Sequence, residues 1–173
     1  MENQASSKSV ILNYGLVLGI LSILTSVVVY ALDKHLDQDW RVSVLSFVVM
    51  IVIIVLGIRN FKTANLNLVT WGQAVKIGVG IAIIGALISI IYNLIFINFI
   101  EPDFMNQMLD KQRLLWEEAN MSSDEIEASE SLVKTFSNPA LTSAIGIIAA
   151  AFFGFIISAI AGAIMKRTEE DGY

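Results

Sequence analysis

Apolar residues in this chain do not alternate with polar ones; they run. Four stretches without a formal charge, 10–32, 42–58, 77–100 and 140–165, are separated by polar segments, the last of them long. Crossing about 30 Å of hydrocarbon at 1.5 Å per residue takes roughly 20 apolar residues, and only the second stretch falls short of that. Asp33-Lys34-His35 closes the first stretch, Arg59 and Lys62 the second, Glu101-Pro102-Asp103 the third and Lys166-Arg167 the fourth, which opens on Ser137-Asn138-Pro139. An asparagine followed by proline is a helix start, and proline between two acids is a stop. The pattern predicts an all-α polytopic membrane protein: one membrane domain over 1–173, built as a bundle of four transmembrane helices. The first stretch is longer than the roughly 7 to 15 apolar residues of a secretory signal, so it is read as an uncleaved anchor. A soluble helical bundle is disfavoured because the second stretch has no polar face to offer water.

Between the third and fourth spans the period changes. Phe104, Met105, Met108, Leu109, Leu115 and Trp116 fall on one arc of a helical wheel, with Asp110, Arg113, Glu117 and Glu118 opposite. Ser122 and Glu125 then have capping-box spacing before a narrower stripe of Ile126, Val133 and Phe136. This predicts an amphipathic helical hairpin over 103–136. Its six apolar residues are a candidate partner-binding face that the other helix, the mouth of the bundle, the membrane or another membrane or periplasmic protein could cover. The acidic polar faces argue against adsorption to anionic lipid. Thr70 and Gln73 also have capping-box spacing, so the third helix is expected to begin at Trp71, with Lys76 snorkelling to the interface.

Small residues recur every fourth position: Gly146, Ala150, Gly154, Ser158 and Gly162 in the fourth span, Gly78, Ala82 and Ala86 in the third, Gly15 and Gly19 in the first, followed there by Ser22 and Ser26. Such stripes let helix backbones approach closely in lipid. They predict a packed core of spans one, three and four, with the second mostly facing lipid. The rival reading is that one stripe, that of the fourth span, is a homodimer interface, so a homo-oligomer stays open.

Composition removes most chemistry. The chain is 55% hydrophobic and 16% charged, and its net charge of −5 argues against a nucleic-acid partner. With no cysteine and one histidine, thiol nucleophiles and the usual zinc sites are excluded, and no metal, cofactor or catalytic residue is expected. The span centres carry no ionisable group; Asn93 is the deepest asparagine and is expected to hydrogen-bond a neighbouring helix. His35, beside Asp33, Asp37 and Asp39, reads as part of a solvated connector. Lys8, Arg59, Lys62, Lys76, Lys166 and Arg167 sit tight against the span ends on one side, while the other side holds twelve of the 16 acids, which predicts cytoplasmic termini.

Tyr14-Gly15 leading to Gly19, the run Thr70-Trp71-Gly72-Gln73-Ala74 with Lys76 and Gly78, and the exit through Tyr92, Phe96 and Glu101-Pro102-Asp103-Phe104 together resemble an uncharacterised four-span bacterial membrane family, domain of unknown function 4199. The resemblance covers nearly the whole chain and implies a small multi-pass inner-membrane protein of the kind found chiefly in Bacteroidota. It carries no catalytic or binding residue, because the family has no assigned activity. Two functions are therefore expected: a non-enzymatic structural or interaction module binding other membrane components, membrane lipids included, or a small transporter or channel subunit acting as an oligomer. A polar cavity reaching Asn93 would favour transport and a dry interior the module. An interfacial enzyme would need Glu101, Asp103 and His35 to converge in a pocket.

Overall fold

A computed structural model describes residues 6–37 and 39–167. Six helices follow one another: α1 (Ser7–Ala31), α2 (Trp40–Ala64), α3 (Trp71–Ile95), α4 (Phe104–Glu118), α5 (Ser123–Phe136) and α6 (Pro139–Met165). A π-helical turn, Phe96–Ile100, prolongs α3. There is no strand among the described residues; a single antiparallel bridge pairs Val69 with Arg167. α1, α2, α6 and α3 with its π turn are long and apolar enough to cross a membrane, which is consistent with a membrane protein. α2 is 25 residues long, about 38 Å, because Asp39 caps it by accepting from the Arg41 N–H and the helix continues past Arg59 to Ala64.

The starts follow the local chemistry. At Thr70 the side chain accepts from the Gln73 N–H and Gln73 returns the bond to the Thr70 N–H, so α3 begins at Trp71. Ser122 and Glu125 form the same reciprocal box at α5. Asn138 caps α6, with Pro139 in its first turn. Between α4 and α5 Asn120 takes φ 59°, a left-handed position that asparagine tolerates, and Arg113 on α4 pairs with Glu130 on α5 at 2.6 Å.

α3 is the central element, packed along α1 on one side and α6 on the other. On α1, a Cβ at Gly15 would lie 2.6 Å from Ile84, and one at Gly19 2.7 Å from Ile88. On the α6 side Gly78 is pressed against Ser158, Gly154 against Ala82 and Gly162 against Ala74. Ser158 is fully buried and turns its hydroxyl back to Gly154 O at 2.5 Å, so the contact leaves no polar group open. Ala150 packs at the edge of this core and Ala86 is half-buried.

Two expectations are corrected here. α2 is not merely lipid-facing: Ile53, Ile54, Gly57, Ile58 and Phe61 are buried, and Ile54 and Ile58 have no exposure at all. Branched side chains can fill the gap between α1, α3 and α6 as well as small ones can close it. Gly57, pressed on Ile81 and Tyr14, supplies the close approach. Gly146, the first member of the α6 stripe, has nothing within 4 Å of its Cβ position and packs against no helix.

That exception belongs to a general asymmetry. Nearly every buried residue lies in the half of the bundle that holds the α2–α3 turn: Val10 to Gly19, Ile53 to Phe61, Val69 to Gly85 and Gly154 to Gly162. Hydrogen bonds clamp the same end, from Lys62 Nζ to Met165 O, from Trp71 Nε1 to Ala159 O, and in both directions between Val69 and Arg167. Toward α4 the spans separate, and Phe96 is the one buried residue there among those described.

Candidate functional site

The separation leaves two cavities under α4. One, about 530 Å³, lies between α1, α3 and α6, and the other, about 710 Å³, between α1, α2 and the first loop. Both are bordered by Ser22, Ser26, Asn93 and Phe104, which form a shared wall between α1 and α3. Ser22 and Ser26, four apart on α1, face Asn93, which is four residues beyond Ser89 on α3. The helical period makes each pair one face. Ser22 and Ser89 satisfy their own protons on Leu18 O and Gly85 O at 2.9 and 3.0 Å. Their oxygens remain available as acceptors. Asn93 is exposed to this space and borders both cavities instead of being sealed in a helix seam.

The first cavity is mostly apolar: Ile23, Ile90 and Ile97 form its walls, while Ser89, Thr142 and Ser143 add hydroxyls. Phe104, Met105 and Met108 of α4 form its roof with Phe136 of α5. The six-residue apolar arc of α4 is therefore split. Its first turns face the bundle; Leu115 borders a smaller hollow with Leu36 and Met108, and Leu109 and Trp116 are half-buried.

The second cavity has a different mouth. His35 is corrected from a solvated connector to a mostly buried residue: its side chain is 11% exposed, and Nε2 lies 3.1 Å from both carboxylate oxygens of Glu101, with hydrogen-bond geometry to Oε1. Tyr30, Phe96 and Phe104 surround the imidazole with ring centroids at 5.0, 6.4 and 6.1 Å. His35 Nδ1 and Glu101 Oε2 are buried without a hydrogen-bond partner. The π turn ends at this place: the Glu101 N–H donates to Phe96 O at 2.8 Å, the wider register that turns the chain out of α3, and such turns occur often at functional sites. Of the three residues an interfacial enzyme would need, His35 and Glu101 meet. Asp103 does not join them; its carboxylate accepts from Asn106 at 2.7 Å on the surface.

Asp37 and Asp39 border the same mouth. Lys111 of α4 forms an ion pair with Asp37, and that hydrogen bond together with the lysine's charge holds the Asp37 carboxyl below its ordinary value. α4 is thus fastened over the cavities by an aromatic contact through Phe104 and by one ion pair. Ser22 and Ser26 at i, i+4 were the sequence signal for the cavity wall; nothing in the sequence signals the meeting of His35 with Glu101, 66 positions apart.

The family described as Protein of unknown function (DUF4199) matches residues 13–167. The chain belongs to this family. The match takes in both seams of the DUF4199 core, the two cavities and α4 with α5. No curated protein and no solved structure matches the chain.

Proposed function

We propose that the protein is a multi-pass inner-membrane protein of bacteria, non-enzymatic, that binds another membrane component: an amphiphile held in the cavities beneath α4. In this reading α4 and α5 are an amphipathic hairpin on the outer surface, both termini are cytoplasmic, and Phe104, Met105 and Met108 cover the bound molecule instead of docking a protein. The observation that carries the reading is the wall shared by the two cavities, Ser22, Ser26 and Asn93, a polar patch in a cavity between α1, α3 and α6 whose remaining walls are mostly apolar. Pockets that hold small amphiphilic molecules have this composition, apolar surface with a few placed polar groups.

The test is mass spectrometry of the protein released from membranes in mild detergent. Wild type should retain an amphiphile that Asn93→Leu loses; no retained molecule in either overturns the reading. Orientation is tested by single cysteines at Ser6 and Ser123 in a chain that has none of its own. An impermeant thiol reagent should modify the second alone in intact cells.

By the criterion set from the sequence, a cavity reaching Asn93 is the feature that favours the second reading, a transporter or channel subunit acting as an oligomer; the module is preferred because the cavity's remaining walls are mostly apolar and Phe104, Met105 and Met108 of α4 roof it. Release of the retained molecule across a reconstituted bilayer would favour it over the module.

A further inference from the structure

No formally charged side chain lines the cavity between α1, α3 and α6. Its polar groups include one layer: Ser26 on α1, Asn93 on α3 and Ser143 on α6 each stand within two turns of the α4 end of their helix. Ser22, Ser89 and Thr142 spend their hydroxyl protons on the carbonyls of Leu18, Gly85 and Asn138, at 2.9, 3.0 and 2.9 Å. The side chains of Ser26, Asn93 and Ser143 donate to no other described residue, so the layer offers donors as well as acceptors to the cavity. Size sets a second limit. At about 30 Å³ per non-hydrogen atom, the share of liquid volume that one water molecule takes, a cavity of about 530 Å³ holds roughly 18 such atoms. That is room for one chain with a small head and not for the two chains of a phospholipid.

We propose that the bound molecule is a single-chain lipid with an uncharged, hydroxyl-bearing head, its head among Ser26, Asn93 and Ser143 and its chain along Ile90, Met105 and Met108. This rests on the preceding reading that an amphiphile is held beneath α4, and it needs only the one cavity. A hydroxyl both donates and accepts, which matches one amide and two serine hydroxyls. A carboxylate, phosphate or ammonium head would lose its hydration there and meet no opposite charge in the lining, so the site discriminates against it. A hydrocarbon with no head would leave the three polar side chains facing an apolar guest, and a site built to hydrogen-bond a hydroxyl rejects the analogue that lacks it. The unbranched thioethers of Met105 and Met108 adapt to the irregular surface of a chain.

The experiment uses the full chain in phosphatidylcholine nanodiscs and three photoreactive probes of equal chain length, each with a diazirine in the chain and an alcohol, a carboxylate or a quaternary ammonium head. The probes are compared at matched concentrations in the bilayer, and the labelled residues are mapped by mass spectrometry. The alcohol should label Ile90, Met105 and their neighbours at a concentration about tenfold below either charged head, the discrimination expected of a charge-free lining. Ser143→Asp puts a carboxylate near the start of α6, where it suits the helix N-terminus and leaves the fold intact. It should bring the ammonium probe level with the alcohol or above it. Equal labelling by the three heads, or preference for a charged head in the wild type, overturns the uncharged head and leaves the amphiphile site standing. An unchanged ranking in Ser143→Asp places the head away from this layer and overturns the proposal. Recovery of a two-chain phospholipid as the molecule retained through purification overturns the single chain. Failure of all three probes to label the cavity, with retention by Asn93→Leu indistinguishable from wild type, removes the amphiphile site itself and this inference with it.

Discussion

The two ends of the helical bundle use the same apolar vocabulary and reach opposite results. At the α2–α3 end, Ile54, Ile58, Ile77 and Ile81 are wholly buried between close-set backbones, and the polar groups present are spent on clamps such as Trp71 to Ala159 O. At the α4 end the small residues are serines, threonine and Gly146, the helices separate, and the space between them is lined instead of filled. The difference teaches that a small-residue stripe does not by itself define an interface. Small residues permit close approach, and a neighbour that fits against them, branched in the α1 seam or small in the α6 seam, decides whether the approach happens. Gly15 and Gly19 have Ile84 and Ile88 opposite them; Gly146 has nothing.

The sharpest way to break this comparison is one substitution made at both ends of one stripe. A Cβ at Gly154 would stand 2.6 Å from that of Ala82 and 3.4 Å from the Gly78 carbonyl, so Gly154→Leu must drive α3 and α6 apart. A loss of about 3 kcal/mol or failure to fold is expected, the upper range for overpacking. Gly146→Leu has room for the side chain and should change stability by less than about 0.5 kcal/mol while occupying the cavity and displacing its guest. Equilibrium unfolding by denaturing detergent, with amphiphile retention measured alongside, checks both. Equal losses at the two positions would mean that the α4 end closes in the bilayer.

A smaller contrast tests α2, whose two halves differ in the same way. Ile54→Ala removes a fully buried side chain from among α1, α3 and α6 and should cost about 2 to 4 kcal/mol. Val48, 48% exposed on the other half of the same helix, should tolerate alanine to within about 0.5 kcal/mol. The same unfolding assay reads both, and an equal effect would contradict the placement of α2 in the core.

What the sequence made legible, and what it did not, follows from the range of the interactions. The spans, the caps at Thr70, Ser122 and Asn138, and the helical character of 104–136 are local: each depends on residues within a turn or two, so period and capping chemistry reveal them. The seams of α3 with α1 and α6 were partly legible because glycine spacing states which face comes close. The role of α2 was hidden, since β-branched residues look alike whether they face lipid or a neighbouring helix. The candidate site was the least legible part. His35 meets Glu101 across 66 residues and Lys111 meets Asp37 across 74, and no spacing rule reaches that far. Ser22 and Ser26 were visible as small residues on one face and Asn93 as the deepest asparagine, but whether such groups are glue or a cavity wall depends on how far the helices separate.

The smallest expected effect concerns the fastening of α4 to the open end. Asp37 and Lys111 are both exposed, so their pair contributes to where α4 sits and hardly to global stability. Because the carboxyl in the folded protein is held below its ordinary value of 3.8, the pair is fully formed above that pH, and its contribution is lost as the pH falls through the lowered value. Spin labels at Leu32 and Glu118, read by electron–electron double resonance, should therefore give one distance distribution from pH 7 down to pH 5 and a broader one once the pH has fallen through the lowered value and the carboxylate protonates. Lys111→Ala should broaden the distribution already at pH 7 and leave little further change on acidification. A distribution that is equally narrow in the variant would assign the seating of α4 to Phe104 and its aromatic neighbours alone, and the open end would then have a fixed roof where an ion-pair latch is expected.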